Sequence, residues 1–181
     1  MISFFIYFYF RFLVNQHLWL NIIGLLEKPD TGTIKIMTRT NPNKKEIQFL
    51  RRYNLGYIFQ NYALLENETV KSNLLLATKF NKEFKEDMLL DVLEKVELNS
   101  YILNEKVYKL SGGEQQRIAI ARILLKPCDI ILADEPTGNL DEHNKKQIVS
   151  LLSKMKDLNK IVVCVTHDSY ISSISDNTIC L

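Results

Sequence analysis

Residues 128–141 read CDIILADEPTGNLD, and residues 160–168 read KIVVCVTHD. Each is a nearly unbroken apolar run that ends in polar side chains: Asp134 and Glu135 in the first, His167 and Asp168 in the second. A strand with one wet face alternates apolar and polar residues. A strand apolar throughout is covered on both faces, as in a parallel sheet flanked by helices. The two runs therefore predict strands over 128–133 and 160–166. Ligands of such sheets sit beyond the carboxyl ends of the strands, where these polar residues fall. Adjacent carboxylates there suit a divalent cation together with a base that orients water.

Outward from these strands the pattern stays α/β. Ile148, Leu151, Leu152 and Met155 recur at i, i+3, i+4 and i+7, the buried stripe of a helix over 142–158. A second helix is expected over 114–126, and its start reads Leu110-Ser111-Gly112-Gly113-Glu114. Ser111 stands at the N-cap, and the following amides have no intrahelical partner, which makes the turn either an anion site or an ordinary capped helix. Leu55–Phe59 reads as a strand that delivers Gln60. Residues 69–98 read as helical, with Leu89, Val92, Leu93 and Val96 on one face. Leu20–Glu27 reads as a helix closed by Pro29-Asp30-Thr31-Gly32, before a short strand over 32–37. The class is α/β with a helical insertion at about residues 62–108.

The 181 residues are 46% hydrophobic and 24% charged, enough for one domain with a core. A net charge of +2 gives no field that would draw nucleic acid or an anionic membrane, and the basic stretch 41–52 reads as a solvated face. Cys128, Cys164 and Cys180 have no metal-ligand spacing and read as core residues of a reducing cytosol. The front of the chain differs from the rest. None of the six glycines precedes Gly24, and seven aromatic residues crowd the first 12 positions. This run lacks the flanks of a secretory signal and is too short to span a bilayer. It would also be apolar on both faces as a strand. Residues 1–19 are expected to stand outside a fold made by 20–181, with an interfacial membrane anchor as the alternative.

Taken together, LSGGEQQRIAIAR at 110–122, IILADEPTGNLD at 130–141 and VVCVTHD at 162–168 resemble the nucleotide-binding domain of ABC transporters, in the same order. The resemblance runs from about Leu20 to the end and implies a P-loop NTPase-like sheet that binds ATP and Mg²⁺ and hydrolyses ATP. It implies that Ser111, Gly112, Gly113 and Gln115 contact the γ-phosphate of ATP held by the opposite subunit. It implies that Asp134 supports Mg²⁺, Glu135 polarises the attacking water, and His167 senses the γ-phosphate. Gln60 would link Mg²⁺ and water to the transport subunit, and Asp141 would cross the dimer interface. His17 and His143 match nothing and read as surface residues. The partners implied are an integral-membrane permease and a second nucleotide-binding domain, as homodimer or heterodimer, at the cytoplasmic face of the membrane. The stretches NIIGLLEKPDTG and YIFQNYALLENETV resemble the ATPases of lipoprotein-release, macrolide-export and bacteriocin-export systems, bacteriocin export above all.

One part of the family pattern is absent. A phosphate-binding loop GxxxxGK[ST] belongs just ahead of LNIIGLL, where Gln16-His17-Leu18-Trp19 stand instead. The strands before it and the aromatic residue that stacks on adenine are missing too. Leu13-Val14-Asn15-Gln16-His17 can be encoded CTG GTA AAT CAA CAT. Read one base earlier, with T closing the Phe12 codon, the same bases give Ser-Gly-Lys-Ser-Thr. The codon before that serine would end in TT and so cannot encode glycine, which makes the match partial. The expectation is a frameshift between His17 and Leu20, with residues 1–19 out of frame and ATP hydrolysis defective in this chain. The alternatives are a degenerate partner that lends its LSGGE to an ATP site in a heterodimer, and a membrane-associated regulator without catalysis.

Overall fold

The computed structural model describes residues 5–9, 16–138 and 140–180. The chain begins with β1 (Phe5–Tyr9) and α1 (Gln16–Ile23), then a hairpin of β2 (Lys35–Ile36) and β3 (Arg39–Thr40). Next come α2 (Lys44–Tyr53), β4 (Leu55–Ile58), α3 (Val70–Thr78) and α4 (Met88–Lys95), with 3-10 turns at Ser100–Asn104 and Val107–Lys109. The second half runs α5 (Gly112–Leu125), β5 (Ile130–Asp134), α6 (Glu142–Asp157), β6 (Ile161–Val165), α7 (Ser169–Ile174) and β7 (Asn177–Cys180). Five strands make one parallel sheet in the order β4-β5-β6-β1-β7, so every strand ends at the same edge.

The two-residue alternation of the strands sorts the core into layers. Leu132, Val163 and Val165 pack on Leu20 of α1. Ile131, Ala133, Val162 and Cys164 point the other way, into a larger core with Ile118 and Ile120 of α5 and Ile148 and Leu152 of α6. Leu74 of α3 and Leu89 and Leu93 of α4 join the same core, which fastens the helical insertion to α5. Gly56 of β4 lets α5 come close: a Cβ there would stand 2.9 Å from Cys128 Sγ and 3.1 Å from Ile123 Cγ2.

Several expectations change. Residues 1–19 were expected outside the fold, yet β1 lies between β6 and β7, with Tyr7 opposite Cys164 and Thr178. An all-apolar run suits an inner strand of a parallel sheet, where helices cover both faces, so the feature that argued against a half-exposed strand favours this one. A segment built into the sheet in this way is not available as an interfacial anchor. Residues 10–15, which the codon argument concerns, lie outside the described residues. The helix expected at 20–27 starts four residues earlier and ends at Ile23, where Leu25 takes a left-handed φ of 58°. The helical stretch 69–98 is two helices separated at 79–87, and β7 had no counterpart in the sequence reading. Cys128 and Cys164 are buried free thiols, whereas the side chain of Cys180 is outside those described. Among the described residues no helix is long and apolar enough to cross a membrane, and no cluster of three metal-ligating side chains occurs.

Candidate functional site

The carboxyl ends of β4, β5 and β6 bring Gln60, Asp134, Glu135 and His167 to one edge of the sheet. Asp134 is the last residue of β5, and only 13% of its side chain is exposed. His17 Nδ1 stands 2.8 Å from Asp134 Oδ1 and 2.9 Å from Oδ2, within donating distance of both carboxylate oxygens. Burial pushes the Asp134 carboxyl up from its ordinary value, and the charge and hydrogen bond of His17 draw it part of the way back. The sequence reading placed His17 on the surface. Half its side chain is indeed open, but the ring is committed to Asp134. The signal was its spacing, three residues ahead of Leu20 and so on the helix face that meets the sheet.

Glu135 takes a left-handed φ of 42°, which costs a non-glycine residue about 1–3 kcal/mol. Its backbone is held from both sides: its N–H donates to Val165 O at 2.8 Å, and its carbonyl accepts from Gly138 N at 3.0 Å. The turn sends the side chain back over β6, where Oε2 accepts from Thr166 Oγ1 at 2.8 Å. Oε1 is buried without a hydrogen-bond partner, and His167 Nε2 stands 3.8 Å from it. A buried carboxylate oxygen left open is an acceptor ready for a water proton. Asp168, beside His167, accepts from Thr137 Oγ1 at 3.1 Å and caps α7 through Tyr170 N. Gln60 is exposed next to Gly138. With His17, Tyr62, Gln115 and Asp134 it lines an open cleft of about 790 Å³.

A second centre forms at the start of α5. Ser111 and Glu114 make a reciprocal capping box: Glu114 N donates to Ser111 Oγ at 3.3 Å, and Ser111 N donates to Glu114 Oε2 at 2.9 Å. The amides of Gly112 and Gly113 are left for an outside acceptor. Gly113 has a packing reason to be glycine, because a Cβ would collide with the Asn144 carboxamide. Asn144 Oδ1 accepts from Arg117 Nη1 at 2.9 Å, and its Nδ2 donates to Asp141 Oδ2 at 2.7 Å. Asp141 caps α6 by accepting from Asn144 N at 2.9 Å, and that amide holds its carboxyl below the ordinary value. Gln115 Nε2 donates to Leu110 O at 2.9 Å, which closes the turn ahead of the helix. Its buried neighbour Gln116 donates to Pro136 O at 2.8 Å, joining α5 to the loop after β5. Sequence reading missed Gln116, Arg117 and Asn144, because helical polar residues facing another helix look like surface ones.

The two centres differ in what they can hold. The glycine amides at the start of α5 fit a phosphate oxygen. The described residues of the cleft beside Asp134 do not by themselves fit a magnesium nucleotide. Its described acidic and basic lining residues are His17, Glu66 and Asp134, with no lysine or arginine, and His17 already takes both Asp134 oxygens. A triphosphate needs cations and N–H donors that converge on it.

Comparison with known proteins is consistent on the family. The family described as ABC transporter matches residues 18–138. The lipoprotein-releasing system ATP-binding protein LolD of Bacteroides thetaiotaomicron is 36% identical over 167 residues, covering 88% of this chain and 76% of that protein. The macrolide export ATP-binding/permease protein MacB of Bdellovibrio bacteriovorus is 39% identical over 155 residues, but this chain spans only 24% of it. The dimeric structure of MJ0796, a bacterial ABC transporter cassette, matches with a TM-score of 0.88 at 33% identity, covering 100% of this chain and 82% of that one. A second structure of MJ0796, in a post-hydrolysis state with ADP and Pi, matches with a TM-score of 0.84. The parallel sheet, the capped glycine turn and these likenesses agree: the chain belongs to the ATP-binding proteins of the ABC transporter family.

Proposed function

We propose that this chain is the cassette subunit of an export transporter. It works in an unequal pair with a second cassette, beneath an integral-membrane permease at the cytoplasmic face, and it serves export of a peptide of the bacteriocin type. The observation that supports the pairing is the contrast between its two centres. The start of α5 is intact and braced to Asp141 through Asn144, whereas the cleft beside Asp134 lacks cations among its described lining residues. In this reading Ser111, Gly112, Gly113 and Gln115 meet the γ-phosphate of ATP held by the second cassette, and Asp141 lies at the interface between the two. Asp134 and Gln60 stand where a Mg²⁺ ligand set belongs, Glu135 where a base belongs, and His167 where a phosphate sensor belongs. Among the described residues no cation converges with them on a triphosphate, so in this reading they hold no nucleotide of their own.

The cost of the missing loop can be bounded. Hydrogen bonds to charged groups contribute about 1.5–3 kcal/mol each. Losing a lysine and two backbone donors removes on the order of 5 kcal/mol, and at roughly 1.4 kcal/mol per tenfold the loss in ATP affinity is about a thousandfold or more. Equilibrium dialysis of ATP with this chain tests the point. The comparison is a variant with Leu13→Ser, Val14→Gly, Asn15→Lys, Gln16→Ser and His17→Thr. The variant should bind about a thousandfold more tightly. Equal affinities would overturn the reading.

A further inference from the structure

The basic stretch 41–52 folds largely into α2, and one face of that helix is both aromatic and basic. Lys45, Phe49, Arg52 and Tyr53 fall at i, i+4, i+7 and i+8, which places them together. The face meets Phe80, two residues past the end of α3. The Phe49 and Tyr53 rings are 5.0 Å apart between centroids, and those of Tyr53 and Phe80 are 5.9 Å apart. The three rings wall a cavity of about 740 Å³ that Arg52, Lys82 and Glu83 also line. Phe49 is 45% exposed, so an apolar ring stands open to solvent among charges.

Most of those charges are positive. The Arg39 guanidinium lies 4.6 Å from the Phe49 ring centre, and Arg52 and Lys79 lie 4.9 and 5.9 Å from that of Phe80. With Lys45 and Lys82 they face two acids, Glu46 and Glu83. Glu46 is already engaged: its Oε2 accepts from Asn43 N at 2.8 Å, and Arg39 Nε stands 3.7 Å from its Oε1. None of the ion pairs among the described residues involves Lys45, Arg52, Lys79 or Lys82. The whole chain carries only +2, so the excess is local, and its counter-charge has to come from outside.

The arrangement of rings and cations selects the anion. A nucleobase stacks on an open aromatic face, and a ligand cation seeks the same face. Phe49 is flanked by Arg39 and Tyr53, and Phe80 by Arg52, Lys79 and Tyr53, so both faces are spoken for. Ring edges and positive charge are what remain. That pair suits the headgroup layer of a membrane, where aromatic rings sit between hydrocarbon and water and basic side chains meet lipid phosphates. We propose that this face of α2, with Phe80, rests directly on an anionic lipid surface. Phe49 enters the headgroup layer, and Arg52, Lys79 and Lys82 meet the phosphates. The contact requires no permease and so goes beyond the subunit partnership above.

Sedimentation of the full chain with lipid vesicles tests the contact. Phosphatidylcholine vesicles with about 30% phosphatidylglycerol should bind it about tenfold more tightly, or better, than phosphatidylcholine alone. Arg52→Glu with Lys82→Glu should weaken that binding about tenfold or more, because each cation near an anionic surface contributes roughly fivefold. Lys95→Glu with Lys154→Glu makes the same change in net charge at a different cavity, and should weaken it about twofold at most. All four positions are exposed, so both double variants should keep the circular dichroism of the parent. Trp19 is the one tryptophan of the chain. Phe49→Trp in a Trp19→Phe background should therefore report on the ring itself, with emission shifted to the blue by the anionic vesicles. Equal binding to the two kinds of vesicle would overturn the proposal. So would equal losses in the two double variants, since general charge attraction would then suffice. Unshifted emission would overturn the entry of Phe49. A single-stranded oligonucleotide that binds as tightly as the anionic vesicles, and is lost in Arg52→Glu with Lys82→Glu, would assign the face to nucleic acid instead.

Discussion

Asn144 does with one carboxamide what three separate residues would otherwise share. It closes over Gly113, accepts from Arg117 and donates to Asp141, so the glycine turn and the residue at the proposed interface move as one body. Gly113→Ala should displace that carboxamide and cost about 1–3 kcal/mol of stability, read as a lower urea midpoint with an unchanged slope. Asp141 gives a pH signature. Its carboxyl is held below the ordinary value near 3.8, chiefly by the Asn144 amide, so the ionised form stabilises the folded state. That contribution is complete above the ordinary carboxylate range and is lost as pH falls through the lowered native value. Asp141→Asn keeps a good N-cap but does not titrate. The parent should therefore lose stability on acidification more steeply than the variant, as followed by circular dichroism across the range below about pH 4.

Elements read as nearly continuous apolar runs were plain in the sequence: β5 and β6 and the helices α5 and α6 appear within two residues of expectation. Ser111, Asp134, Glu135 and His167 were legible as candidates because strand ends and glycine turns announce themselves locally. β1 was not, because a run apolar on both faces makes sense only once its neighbours are known, and those neighbours lie more than 150 residues away in sequence. The same distance hid the pairing of His17 with Asp134 and the grip of Arg122 on the 62–63 carbonyls. The position of β1 can be tested directly. Proline lacks the N–H that a strand between two others must donate. Tyr7→Pro should lower stability by about 3 kcal/mol or more in a denaturant titration. A variant as stable as the parent would mean that residues 5–9 contribute nothing to the sheet.

Across the whole molecule the polar chemistry is gathered on one edge. In the proposed unequal cassette pair, that edge faces the second cassette. Mixed with a second cassette that holds ATP, the parent chain should raise ATP turnover, and Ser111→Arg should remove that gain by filling the phosphate position. The measurement is phosphate release by the mixture against each chain alone. Cys164 has a further consequence. It sits on β6 opposite Tyr7 of β1 with none of its surface exposed, and burial raises its thiol well above the usual range. Its side chain points into the core under α5 and α6, so an alkylating reagent can reach that sulfur only when this core opens. Its labelling rate, mapped by peptide, is therefore a clock for how often the helix layer lifts from the sheet, and it runs without any nucleotide, permease or second cassette present.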